Sequence, residues 1–306
     1  MITYDASFST MWVNKKFPAL DDFFIAARQM GFAKVELNHQ INSAMLTGIE
    51  LDHYQFSSVH EPCPADISTE MLKERDWLVS SSDEECRRQG VASIKRSIDL
   101  AKELGAGVVV MHSGSIQVDG SLEINLRALF EAEQDHSQKY SDIKNRMPDI
   151  RAARAGVYLD SVKKSLLELL EYAGRFGVRL GLENRYHYFD IPNPDEMGVL
   201  LSLAEPEQLG IVYDVGHAQA LARLGFYSHE EWLQRYSARM IGVHLHDVIG
   251  IADHYAPGLG EVDFDKLAAY LPTDAFRTCE FQVVNTTEQV KAGLKFLVEH
   301  GCIKCL

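Results

Sequence analysis

The strongest constraint in this sequence is an alternation. Short apolar runs end in a polar residue, and each is followed by a stretch with apolar residues at helical spacing. Residues 107–111 (GVVVM) lead into His112, and 209–213 (LGIVY) lead into Asp214, with His217 three positions on. An unbroken apolar run of this length marks a strand covered on both faces. Comparable runs lie at 2–6, at 33–37, at 56–59 before His60, at 178–182 before Glu183, Asn184 and Arg185, at 240–245 carrying His244, and at 277–281 carrying Glu280. Helical patterns are expected at 18–30, 42–54, 84–104, 158–176, 194–203, 218–238, 264–271 and 287–299.

Strands alternating with helical crossovers predict a parallel sheet. Eight such units in 306 residues fit one α/β domain spanning residues 1–306, a (β/α)8 TIM barrel whose working groups sit at the C-terminal strand ends. An open doubly wound sheet would carry a glycine-rich phosphate loop after its first strand, and TYDASFSTMWV has none. Residues 113–155, after the fourth strand, are polar, charged and long for a connection, so they are expected to be an insertion: a lid, or a solvated helical excursion.

The formal net charge of −14 opposes broad contact with nucleic acid and would suit a protein that concentrates a divalent cation. No apolar run approaches the roughly 20 residues that span a bilayer. The start, MITYDASFST, has no secretory pattern, and a cytoplasmic protein with reduced thiols is expected; Cys302 and Cys305 form a CxxC without a second pair. A homo-oligomer is compatible with the chain, but no segment reveals an interface.

The polar strand-end residues His60, His112, Glu183, Asp214, His217, His244 and Glu280 fall in one ring at the barrel mouth. Taken singly, each has a plain structural role: Asp214 as a helix cap, Glu183 as partner of Arg185. Together, three carboxylates among four histidines would repel one another without a cation. The mixed oxygen and nitrogen donors suit one divalent ion, Mn2+, Zn2+, Co2+ or Fe2+, better than Mg2+.

GLENR at 181–185, YDVGHA at 213–218, VHLHD at 243–247, HYAPGLGEVDF at 254–264 and CEF at 279–281 resemble the xylose-isomerase-like barrels, which include sugar and sugar-phosphate isomerases and epimerases and endonuclease IV. The resemblance implies a metal site of Glu183, Asp214, His244 and Glu280. It also implies a substrate contact at His217 in an epimerase, or a zinc ligand there in the endonuclease. His60, His112 and His254 match further zinc ligands of the endonuclease; in an isomerase they would face the substrate. Two departures stand out. Ala252 occupies the place of an endonuclease aspartate, with Asp253 out of register, and Gly250 replaces a substrate-binding arginine of some ketose epimerases.

The expected function is a divalent-metal-dependent isomerase or epimerase of a small sugar, sugar phosphate or related hydroxy-carbonyl compound, acting by proton transfer through a metal-stabilised enediolate. Glu183 and Glu280 would flank the substrate as the two acid–base groups, and Arg185 would meet a substrate carboxylate or phosphate, or else form a structural ion pair. The alternative is an endonuclease IV-like zinc phosphodiester hydrolase. The third reading, a barrel that binds without catalysis, leaves so complete a ligand set unexplained.

Overall fold

The structure is a computed structural model and describes residues 2–13 and 16–306. Eight parallel strands close into a barrel: β1 (Tyr4–Ser9), β2 (Phe32–Leu37), β3 (Phe56–His60), β4 (Val108–Met111), β5 (Arg179–Glu183), β6 (Leu209–Asp214), β7 (Met240–Leu245) and, after a small two-stranded ribbon of β8 (Asp247–Ile249) and β9 (Ala252–Tyr255), β10 (Phe276–Cys279). Neighbours follow chain order, and β10 pairs with both β7 and β1. The expected (β/α)8 barrel is the observed one.

Two cores result from the period-2 alternation of each strand. Inside the barrel, Val110, Val212 and Ile241 pack together with Val108 and Phe276 below the mouth. Outside, residues such as Val109, Leu180, Ile211 and Val243 meet the apolar faces of the surrounding helices. Filling the barrel with branched side chains leaves only the inward positions at the strand ends for polar groups.

Some sequence-based boundaries shift, with clear causes. The first strand runs through Ser9, because its serines point into the polar barrel top. The helix expected at 42–54 is reduced to Ser43–Leu46 and a single turn at Leu51–His53, since Gly48 adopts φ +83° between them. The pattern at 218–238 is two helices, Val215–Arg223 and His229–Tyr236, with Gly225 at φ +80° between them.

The insertion is helical, and its helices pack on the barrel loops. It holds a helix at Ser121–Glu131 and a second, Gln138–Gly174, that continues through Pro148 into the helix expected only from 158. Tyr140, Ile143 and Met147 of the long helix join Leu126, Leu129, Tyr188, Phe189 and Leu221 in a separate apolar core over the β5 and β6 loops. Arg151 fixes the join, contacting the Tyr188 carbonyl and Glu196 and donating to the Asp190 carbonyl at 3.0 Å. The insertion is therefore packed scaffolding for one side of the mouth.

Candidate active site and metal centre

Strand ends bring Glu183, Asp214, His244 and Glu280 together, with one ligand atom of each within 4.8 Å of the others, and all four are buried. Their contacts show what they are aimed at. His244 Nδ1 lies 2.8 Å from Glu183 Oε1, yet among the described residues neither atom has a hydrogen-bond partner. Close approach without hydrogen-bond geometry is expected of lone pairs directed at a common third point, and buried orphan atoms of this kind call for an ion or water. Glu280 Oε2 is 3.1 Å and Asp214 Oδ2 3.6 Å from the same nitrogen. The donor set therefore fits a divalent cation with mixed carboxylate and imidazole ligands.

The histidines are wired for this. His244 Nε2 is 3.3 Å from Glu36 Oε2, so Nε2 carries a proton and Nδ1 is the nitrogen that faces the cluster. Glu36 in turn accepts from Ser58 at 2.5 Å. His60 donates from Nδ1 to the Glu61 carbonyl at 3.1 Å, and His217 from Nδ1 to the Asn184 carbonyl at 2.9 Å. A carbonyl only accepts, so Nε2 is the nitrogen of each ring that faces the site. His60 Nε2 lies 3.4 Å from Glu183 Oε1, and His112 Nε2 lies 3.0 Å from Glu183 Oε2.

Burial alone would raise the Glu183 carboxyl, but His60 and His217 beside it hold it well below the usual carboxylate range. The same balance of burial against His244 and His254 lowers Glu280. Conversely, burial would lower His60, yet Glu183 pushes it up to about 9. For His112, burial and the Arg185 guanidinium prevail and hold it well below its ordinary value. Negative charge dominates the centre, as a cation site requires.

Asp214 has both of the roles read from its sequence position. Its Oδ1 caps the helix Val215–Arg223 by accepting from His217 N at 2.7 Å, and its carboxylate also belongs to the cluster. Asn184 clamps its backbone, accepting from Asp214 N at 2.7 Å and donating to Asp214 O at 2.8 Å.

Asp253 corrects the register argument drawn from Ala252. His254 sits at φ +63°, so the chain does not alternate as a strand there and the side chains of Asp253 and His254 turn to the same side. Asp253 Oδ2 lies 3.9 Å from His217 Nε2 and its Oδ1 lies 2.8 Å from His254 Nδ1. His217, Asp253 and His254 thus form a second candidate ligand group, and His60, Glu183 and His244 a third. His254 also reaches Glu280, with Nε2 3.6 Å from Oε2.

Arg185 makes ion pairs within the protein, to Glu183 Oε2 at 2.6 Å and Asp190 Oδ2 at 3.4 Å. Beside it and His112 opens a cleft walled by Leu72, Trp77, Val79 and Ile94 and edged by Glu61 and Lys73. Asp247, next in VHLHD, organises the glycine loop by accepting the N–H groups of Val248, Gly258, Gly260 and Val262 at 2.9–3.0 Å.

The matched family is described as the xylose isomerase-like TIM barrel, over residues 24–300. The chain belongs to it. By sequence the chain is similar to an uncharacterized protein of Methanocaldococcus jannaschii, MJ1311, at 26% identity over 192 residues, 62% of this chain and 54% of that protein. Inosose dehydratase of Geobacillus kaustophilus is 34% identical over 92 residues, 29% of each chain. The matches thus span about half of the first relative and under a third of the second. A solved D-tagatose 3-epimerase-like protein shares the fold, with a TM-score of 0.67 at 20% identity over 96% of both chains.

Sequence reasoning gave Glu36 and His246 no role and set Asp253 aside as out of register. Glu36 was visible as a charged residue inside an apolar strand, FAKVEL, a position that is costly unless paired. His246 carried no separable signal beside His244.

Proposed function

We propose that this protein is a divalent-metal-dependent isomerase or epimerase of a small sugar, sugar phosphate or related hydroxy-carbonyl compound. The observation that carries the reading is the buried group of Glu183, Asp214, His244 and Glu280, whose unpartnered atoms converge. A bound divalent ion would supply Lewis-acid polarisation of adjacent substrate oxygens, easing loss of the proton between them.

The chain's own residues supply the rest. Glu183 on β5 and Glu280 just beyond β10 stand on strands well apart round the barrel, so a substrate between them has a carboxylate on either side. One takes the proton and the other returns it. The Nε2 atoms of His60 and His217 hydrogen-bond substrate oxygens and orient them. His112 and Arg185 line the route to the cleft, and the Trp77 wall receives the part of the substrate that projects from the centre. The D-tagatose 3-epimerase-like neighbour and the inosose dehydratase relative are consistent with a polyol substrate.

The test is incorporation of solvent deuterium into a panel of ketoses and inososes by Mn2+-loaded protein. Glu183→Gln and Glu280→Gln should each lower the rate at least 100-fold. Full exchange in both variants would overturn the two-carboxylate reading.

One observation favours a second reading, a phosphodiester hydrolase of the endonuclease kind: Asp253 faces His217 and His254. Zinc content after equilibrium dialysis separates the two. About one ion per chain fits the isomerase, while about three, with cleavage of a phosphodiester substrate, would replace it.

A further inference from the structure

His246 is fully buried beside Asp214, yet the proposed chemistry gives it no task. Its Nδ1 accepts the main-chain N–H of His254 at 2.9 Å. That contact occupies the Nδ1 lone pair, so the proton is on Nε2, which lies 3.0 Å from both Oδ1 and Oδ2 of Asp214. An imidazole bonded in this way has no lone pair left for a cation, although it lies within ligand distance of Asp214, His254 and Glu280.

We infer that His246 is a positioning residue, and not a metal ligand, that ties the Asp214 carboxylate to the left-handed turn at His254. Its ring is stacked on that of His254, with centroids 4.3 Å apart and planes 4° from parallel. The ring also fills the space left by Gly216, where a Cβ would lie 2.1 Å from its Cε1. The turn it anchors, with His254 at φ +63°, is what places Asp253 beside His217. One side chain thereby fixes a ligand of the central group and the backbone of the outer group. This inference rests on the four-ligand reading of the central site.

Two amide variants separate the two bonds. In His246→Gln the side-chain N–H reaches Asp214 from the place of Nε2, but nothing accepts the His254 N–H. In His246→Asn the side-chain oxygen sits near the place of Nδ1 and accepts that N–H, but the side chain falls short of Asp214. The measurements are Mn2+ affinity of metal-stripped full-length protein by calorimetry, and hydrogen–deuterium exchange of the segment 252–255. His246→Gln should keep Mn2+ affinity within about threefold and speed exchange in the segment about tenfold. His246→Asn should keep the protection and weaken Mn2+ binding about 10–100-fold, the usual effect of losing a group that orients a ligand. Equal losses of affinity and protection in both variants would mean a packing role only and would overturn the inference, as would no change in either. If the wild-type protein itself bound no divalent ion, the four-ligand reading would fail, and the exchange measurements would still decide the tie to His254.

Discussion

Gly216→Ala is the smallest change that tests how this site is packed. Gly216 is the second residue of the helix Val215–Arg223, and its backbone needs no left-handed conformation. On propensity alone alanine would stabilise the helix, by up to about 1 kcal/mol. The added Cβ, however, would lie 2.1 Å from His246 Cε1 and 2.5 Å from its Nδ1. Carbon atoms rest at about 3.5–4.0 Å, so the overlap exceeds 1 Å. The ring has no retreat: His254 is stacked behind it, and both nitrogens are bonded. Overpacking of this kind costs about 1–3 kcal/mol, and tearing the bond to the Asp214 carboxylate adds about 1.5–3 kcal/mol. Set against the propensity gain, the net loss is about 1.5–5 kcal/mol, a fall of roughly 2–8 °C in Tm for a chain of this size. Urea and thermal unfolding of Gly216→Ala, His246→Ala and the double variant form a cycle. The alanine at 216 should be nearly neutral once the ring is gone, giving a coupling of at least about 1 kcal/mol. If Gly216→Ala were as stable as the wild type, or equally harmful with and without the His246 ring, the steric reasoning would be refuted.

Two further predictions concern buried groups behind the site and outside it. Glu36→Gln replaces the carboxylate that accepts from His244 Nε2 and should weaken Mn2+ binding about 10–100-fold; unchanged affinity by calorimetry would remove Glu36 from the support of the centre. His229, which burial pushes down to about 4, accepts from the Tyr213 hydroxyl and donates to Gln219 as a neutral ring. Its folded pKa is below the unfolded value, so the unfolded chain binds more protons between about pH 6.5 and pH 4. Stability should therefore fall as pH drops through that window, by about 2–3 kcal/mol from this group. A His229→Gln variant should show a shallower Tm–pH slope there, and parallel slopes would refute the assignment.

What the sequence made legible was whatever repeats. Continuous apolar runs such as VVVM and LGIVYD can only be strands covered on both faces, and their ends fell within a few residues of those observed. Ring membership followed, because a residue at the end of an inward-facing register has one place to go. The parts that were hidden depend on single backbone angles or on distant partners. Gly48 and Gly225 break helices at positions where apolar spacing alone gives no warning. Tyr140, Ile143 and Met147 have helical spacing, but their apolar partners Tyr188, Phe189 and Leu221 lie far along the chain, so the stretch looked solvated. Asp253 looked out of register because register assumes alternation, and His254 at φ +63° suspends it.

The outer group of His217, Asp253 and His254 bears most directly on how the site is used. A lone pair such as that of His217 Nε2 serves a cation and a sugar hydroxyl equally, so histidine geometry does not choose between them. The carboxylate does. A neutral polyol gains a hydrogen bond from Asp253 but no charge compensation, and a buried carboxylate without a counter-charge is costly. In the protein alone, that counter-charge comes from the imidazoles: burial would raise Asp253, and His254 and His217 hold it down, while Asp253 and Glu280 draw His254 well above its ordinary value against the pull of burial. The outer group is therefore electrically balanced as a protonated histidine beside a carboxylate, and it takes up a metal ion only by releasing that proton. The central group must release a proton too, because Glu36 and Glu280 draw His244 above its ordinary value against burial, but it sets three carboxylates around one imidazole and so keeps the larger negative charge. Divalent ions should accordingly fill the centre first, and the outer group should compete for them only at higher pH or higher metal concentration. On the proposed function, that order would leave His217 and His254 to the substrate when a single ion is bound.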